Sequence, residues 1–211
     1  MAASIPILLG THAQGFVGET LRLAGCECQD NMQIEIVRCD KLYVPQTHVA
    51  TLAQWDRFSP LYDAVRANAA AEAGSSAIFP NIYISRRDTA RRPMKNEEAL
   101  EAELTRLGVV PVVLSAMPLA QQVHLIANAR LIIAPHGAGL SHIVNAPQGL
   151  KILELMPVQN GSHARRFNFA RLSRVRGHDH TLWLEPINPA SGYWEVDIPS
   201  IVAIARRMME S

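Results

Sequence analysis

The sequence is poor in cysteine, nearly free of net charge and without a long uninterrupted apolar run, and each scarcity excludes a class of protein. Three cysteines in 211 residues, Cys26, Cys28 and Cys39, are too few and too clustered for a disulfide framework. They read as reduced thiols, so the expected compartment is the cytoplasm. Lysine and arginine number 20 and aspartate and glutamate 19, a formal charge of +1. That balance argues against bulk nucleic-acid or polyanion binding, though not against a local basic patch. The segment from Leu107 to Leu150 carries a single charged residue, Arg130, and so invites a membrane reading. Pro111, Pro118, Gln121, His124, Asn128 and Pro135 interrupt it, whereas a spanning helix needs about 20 predominantly apolar residues. The start, Met1 to Gly10, lacks the basic flank of a signal peptide. No Gly-Lys-Ser/Thr loop occurs, and Cys26-Glu-Cys28 has no second pair with which to hold a metal.

Hydrophobic residues make up 48% of the chain, ample for a folded core. Ile5–Leu9 and Ile34–Arg38 read as strands on either side of a helix from Phe16 to Ala24, with Leu42 to Val49 as a connection. Ser59-Pro60 reads as a helix start, a capping hydroxyl before a proline at the first helical position. After a loop at Gly74-Ser-Ser76 the pattern becomes regular. Strands are expected at Asn81–Ile84, Val109–Leu114, Leu131–Ala134 and Lys151–Leu155. Helices are expected from Asn96 to Gly108, with Asn96 as cap, from Pro118 to Ala129, and briefly from Gly137 to Ala146. Arg165–Val175 and Asp197–Met209 read as further helices, with a strand near Thr181–Leu184. Strands alternating with helices over short loops indicate parallel βαβ units, and strands apolar throughout indicate a sheet covered on both faces. The expected fold class is α/β, a doubly wound Rossmann-like parallel sheet.

In such a sheet ligands bind beyond the carboxyl ends of the strands. Three strand ends here carry unusual chemistry. Ser85 to Lys95 holds five basic groups and one acid. His136-Gly-Ala-Gly139 lets backbone amides approach a ligand at a helix start, where the potential is positive. Glu154 places a carboxylate in an apolar strand, where it must face a partner; an arginine of the fold would suffice. Guanidinium groups supply bidentate, permanently charged contacts of the kind a diphosphate needs, and a neighbouring carboxylate suits the hydroxyls of a ribose. The assembly points to a nucleoside diphosphate or a nucleotide sugar. The bland readings are a solvated arginine loop, an ordinary glycine turn and a pure helix cap at Asn96.

The ordered set Tyr83-Ile-Ser-Arg86, Arg92-Pro-Met-Lys-Asn-Glu97, Gln122, Ile133-Ala-Pro-His-Gly-Ala-Gly-Leu140 and Ile152-Leu-Glu154 resembles the family 61 glycosyltransferases, which include capsular polysaccharide biosynthesis proteins. The resemblance implies the C-terminal half of a GT-B fold, with inverting, metal-independent transfer of a sugar from a nucleotide donor. No cofactor is implied; the donor, a UDP-sugar, is a substrate. The implied partners are that nucleotide sugar and a glycan or protein acceptor, with no nucleic acid. A peripheral membrane contact and a separate N-terminal-half protein are further partners compatible with it. Carried over by position, Arg86 and Arg92 would hold the diphosphate with His136 and the amides of Gly137, Ala138 and Gly139, and Ser85 would be among the donor-binding residues. Asn96, Glu97, Gln122 and Glu154 would shape the donor pocket or the ribose contact.

The chain departs from the family pattern at His142, usually Asn, and at Asn145, usually aromatic. It is also short. The expected division is 1–58, a remnant of the N-terminal domain with its linker, and 59–211, the nucleotide-sugar-binding domain with a C-terminal helix. The catalytic base of such enzymes commonly comes from the N-terminal half, so it is unassigned here, His12 being the nearby candidate. Three other readings compete. One is a non-catalytic or truncated nucleotide-diphosphate-binding fragment. A second is an α/β-hydrolase-type esterase, which would need a Gly-x-Ser-x-Gly elbow that the sequence lacks. The third is a nucleic-acid module built on the five arginines of Arg165–Arg176 with Phe167 and Phe169, against which a helix packing over the donor site is preferred.

Overall fold

Short apolar runs bounded by Gly, Pro and Asn become strands, and the amphipathic stretches between them become helices. A computed structural model describes residues 7–8, 15–26, 28–29, 40–41, 55–90, 93–158, 167–188 and 190–211. A parallel pair of two-residue strands, β1 (Ile7–Leu8) and β2 (Cys28–Gln29), flanks helix α1 (Phe16–Leu23) in the chain. Gly25 follows α1 at φ 74°, a left-handed turn that glycine adopts without steric cost. The strand expected at Ile34–Arg38 and the connection at Leu42–Val49 lie outside the described residues, as do His12 and Arg92.

Helix α2 (Trp55–Ala73) corrects one boundary, for it begins before Ser59-Pro60 and carries Pro60 inside it. Trp55 stacks on Tyr62 with ring centroids 5.1 Å apart, and the Arg176 guanidinium lies 4.5 Å from the Trp55 ring. These contacts hold an additional N-terminal turn, where a proline forfeits a helical hydrogen bond near the helix end. The helix thus runs across residue 58.

The main sheet follows. Its strands are β3 (Asn81–Ile84), β4 (Val110–Val112), β5 (Leu131–Pro135), β6 (Lys151–Val158) and β7 (Asp179–Pro186), all parallel, in the order β4-β3-β5-β6-β7. The intervening helices are α3 (Glu97–Arg106), α4 (Leu119–Ala127) and α5 (Asn168–Arg176), and α6 (Ile198–Glu210) closes the chain. Strand β4 stops at Val112, and Leu114–Ala116 forms a 3-10 turn; the segment after Gly137 is likewise 3-10, Ala138–Asn145. The last strand is longer than expected and pairs with β6 along its whole length.

The pleat sorts side chains strictly. Ile82, Ile84, Ile132, Ala134 and Ile152 point to one face, where they meet Leu125 and Ile126 of α4, Leu140 and Ile143, and Phe169 and Leu172 of α5. Tyr83, Leu131, Ile133, Leu153 and Leu155 point to the other, onto Leu100 and Leu104 of α3 and Ile201 and Ala205 of α6. Outside α4, a smaller cluster of Leu23, Val65, Ala69, Leu119 and Val123 docks α1 and α2. Counted within the sheet, the strand order is 2-1-3-4-5, a doubly wound order whose direction reverses between β3 and β5.

Candidate functional site

That reversal opens a crevice between the carboxyl ends of β3 and β5, because the chain leaves the two strands toward opposite faces. A cleft of about 550 Å³ occupies it. Of the residues expected to form a site, it gathers Ser85, Arg86, Gln122, Gly137, Ala138 and Gly139 on one wall system. Phe16, Glu19, Asp88 and His142 join them. Arginine and glycine segments some 50 residues apart in sequence therefore converge.

Arg86 is fixed at both ends. Its backbone N–H donates to Glu97 Oε1 at 2.8 Å, and the same oxygen accepts the Tyr83 hydroxyl at 2.9 Å. At the far end Nη1 donates to the carbonyl of His136. Burial raises the Glu97 carboxyl above its ordinary range, opposed by the Arg86 N–H and the Tyr83 hydroxyl. Burial, then the Glu97 charge, holds the Tyr83 hydroxyl well above its usual value, so it stays a donor. Glu97 is thus a clamp on the Arg86 backbone and does not line the cleft.

Gly137 explains itself by space. Its φ of −178° is open to any residue, but a Cβ there would lie 2.5 Å from Arg86 Nη1 and 3.0 Å from Cζ. Only glycine lets the guanidinium lie against this backbone. Gly139 is nearly as tight, with a Cβ meeting Ile84 Cγ2 at 3.2 Å and Leu114 Cδ1 at 3.3 Å. Ala138 and Gly139 open the 3-10 turn, and the first N–H groups of a helix have no acceptor within it. Gln122 holds the far wall through Nε2 to the Met117 carbonyl at 2.8 Å. Burial lowers the His142 imidazole below its ordinary pKa, which keeps it neutral near pH 7. Asp88, two residues after Arg86, accepts a hydrogen bond from Ser115.

His136 and Glu154 are placed differently from expectation. In the register Ala134 pairs with Glu154 and Glu154 with Leu182. His136 and His180 each lie two residues from those partners, on the same face and diagonal to Glu154. Glu154 is fully buried, and its carboxylate bridges them, Oε1 to His136 Nδ1 and Oε2 to His180 Nε2 at 2.9 Å. Ser173, also fully buried, completes the chain with Oγ 2.6 Å from His180 Nδ1. Burial pushes the Glu154 carboxyl up, but the bonds to His136 and His180 outweigh it, and the net shift is downward. Two imidazoles, not an arginine, are the partners this carboxylate required. With both oxygens engaged it braces the cleft from within and does not face a ribose. The His136 ring packs against Phe169, 5.3 Å between centroids, and its carbonyl, not its ring, reaches Arg86.

Asn96 is a correction. It stands at the N-cap position of α3, yet its side chain makes no cap bond. It donates to the Val196 carbonyl at 2.8 Å and accepts from the Val196 N–H at 3.1 Å, tying α3 to the lead-in of α6. Within the arginine-rich α5, Arg176 is 8% exposed and donates to the Ala146 carbonyl at 2.8 Å, and Phe169 packs against the core, while Arg171 and Arg174 are exposed. The sequence offered no sign of Ser173 or His180, which reach Glu154 only through sheet register. Among the described residues no group of three or more His, Cys, Asp or Glu is placed to hold a metal ion. Among them, too, no helix is long and apolar enough to cross a membrane.

A sequence model of the family described as Glycosyltransferase 61 matches residues 4–153. The chain belongs to glycosyltransferase family 61. No curated protein matches it significantly. As a family 61 glycosyltransferase it is a transferase of glycosyl groups, acting between a sugar donor and an acceptor. The matched span contains every residue of the cleft and stops one residue short of Glu154. Helix α5 and strand β7, which supply Ser173 and His180, lie beyond it.

Proposed function

We propose that this family 61 glycosyltransferase takes its donor as a nucleotide sugar, a UDP-sugar, with the diphosphate in the switch-point cleft. One observation carries the reading: Arg86, clamped by Glu97 and by the His136 carbonyl, lies directly on Gly137 at the start of the 3-10 turn. A guanidinium and a run of N–H groups facing one space suit an anion with several oxygens, and they suit a neutral ligand poorly. In this reading residues 59–211 are the donor-binding half of a GT-B fold. Residues 1–58, whose helix α1 packs on α2 and α4 of that half, belong to the other. Transfer is inverting and needs no metal, as the family resemblance implies, and the acceptor is a glycan or protein in polysaccharide or glycoconjugate synthesis at or near the cytoplasmic side.

The test has two arms. Uridine diphosphate at millimolar concentration should raise the melting temperature, since selective binding to the folded state adds RT ln(1 + [L]/Kd). No shift with any nucleoside diphosphate refutes the donor assignment. Release of UDP from a panel of UDP-sugars, unchanged by EDTA, then separates an enzyme from a chain that only binds; binding without turnover contradicts the transfer step for this chain.

A further inference from the structure

With a diphosphate placed on the Arg86–Gly137 wall of the cleft, the residues from α1 on the remaining wall have no part in holding it. Phe16 and Glu19 stand one helical turn apart, the i, i+3 spacing that brings two side chains to one face of a helix, and both line the cleft. Phe16 is 71% exposed. A lone exposed aromatic is ordinary on a protein surface; this one fronts a cleft beside a clamped arginine. The exposure does not come from a loosely attached helix. Leu23 at the other end of α1 is fully buried among Val65, Ala69 and Leu119, and its carbonyl accepts from Asn68 Nδ2 at 2.7 Å. Arg22 pairs with Glu72 through Nη2 to Oε2 at 2.9 Å. The helix is docked by its C-terminal half and presents its first turn to the cleft.

A nucleotide also needs a group for its ribose. The carboxylate expected in that role, Glu154, has both oxygens on imidazoles and no surface. Of the carboxylates that do line the cleft, Asp88 is engaged by Ser115, while Glu19 is exposed and shares its helix face with Phe16.

We propose that Phe16 and Glu19 form the nucleoside half of the cleft, the ring stacking on the base and the carboxylate accepting hydrogen bonds from the ribose hydroxyls. The proposal rests on the donor reading above. Stacking on a phenyl ring favours every base, so Phe16 supplies affinity without choosing among them. A carboxylate on the ribose distinguishes a ribonucleotide from its 2′-deoxy counterpart, as acidic residues do at the ribose in other doubly wound sheets.

Calorimetric titrations with inorganic pyrophosphate, UDP and 2′-deoxy-UDP test both halves. The wild-type protein should bind all three, UDP most tightly. Phe16→Ala should weaken UDP about ten-fold and leave pyrophosphate within about two-fold, the loss expected for one stacked base. Phe16→Leu, which keeps an apolar side chain, should lose affinity in the same direction. Glu19→Ala should close the gap between UDP and 2′-deoxy-UDP. If wild type binds pyrophosphate and UDP but both Phe16 variants keep full UDP affinity, the nucleoside wall is elsewhere and the proposal is wrong while the donor reading stands. If neither pyrophosphate nor UDP binds the wild type, the donor reading falls and takes this proposal with it.

Discussion

Replacing Gly137 by alanine adds one methyl group and should disable the site without disturbing the fold. The new Cβ would sit 2.5 Å from Arg86 Nη1, 3.0 Å from Cζ and 3.3 Å from Cδ, so something must move. Alanine tolerates the extended backbone at φ −178°, and the obstructing atoms belong to the far end of a long side chain. Arg86 therefore swings away, losing its bond to the His136 carbonyl and its place over the amide turn. A charge-assisted hydrogen bond is worth about 1.5–3 kcal/mol, so UDP affinity should fall about 10- to 150-fold. Stability should fall by no more than about 1.5–3 kcal/mol, the worth of the lost Arg86–His136 bond, since no core contact is altered. Titration calorimetry with UDP and urea denaturation read the two quantities. Arg86→Ala should show the same loss of affinity, and the double variant Arg86→Ala/Gly137→Ala should be no worse than Arg86→Ala alone, because both substitutions remove one interaction. Additive losses, or unimpaired UDP binding by Gly137→Ala, would refute the reasoning.

Further outcomes follow from the supporting residues. Asn96→Ala removes two bonds to Val196 and should cost about 1–3 kcal/mol of stability while UDP affinity stays unchanged; weakened UDP binding would return Asn96 to the site. Glu154→Ala strands two half-buried imidazoles and should destabilise the fold by about 3–5 kcal/mol in urea titrations. Acid should weaken the fold in two stages. His178 is held down to about 4, first by burial and then by Arg176, from an ordinary value of 6.5. The folded state therefore binds fewer protons than the unfolded one across that window, and stability should fall as pH drops through it. His178→Asn should flatten that slope. Below it, Glu154 with its lowered pKa contributes stability above its ordinary value of 4.5, lost as pH falls through its folded value; an acid limb unaffected by Glu154→Gln would contradict this.

What the sequence disclosed and what it hid divide along physical lines. Strands β3, β5 and β6 were legible because uninterrupted apolar runs between short loops have no other stable use, and Arg86 and the Gly137 turn follow directly from where those strands end. The start of α2 was misread because local rules favour proline at a helix start, whereas Trp55, Tyr62 and Arg176 extend the helix from outside. Strand β2, two residues in length and ending in glutamine, carries no hydrophobic pattern to read. Glu154 announced that it needed a partner, but which one depends on register: His180 is 26 residues away and reaches it only because β7 lies beside β6 in one alignment. Asn96 obeyed its propensity for a cap position and then spent its side chain on Val196, a contact 100 residues distant.

The central claim is that the Arg86 guanidinium and the amides after Gly137 hold the same diphosphate. A crystal structure of the protein with UDP tests it most directly. Phosphate oxygens are expected within about 2.7–3.2 Å of the Arg86 guanidinium and of the Ala138 or Gly139 backbone nitrogen. A nucleotide bound with its phosphates away from Arg86, or outside the crevice between β3 and β5, contradicts it.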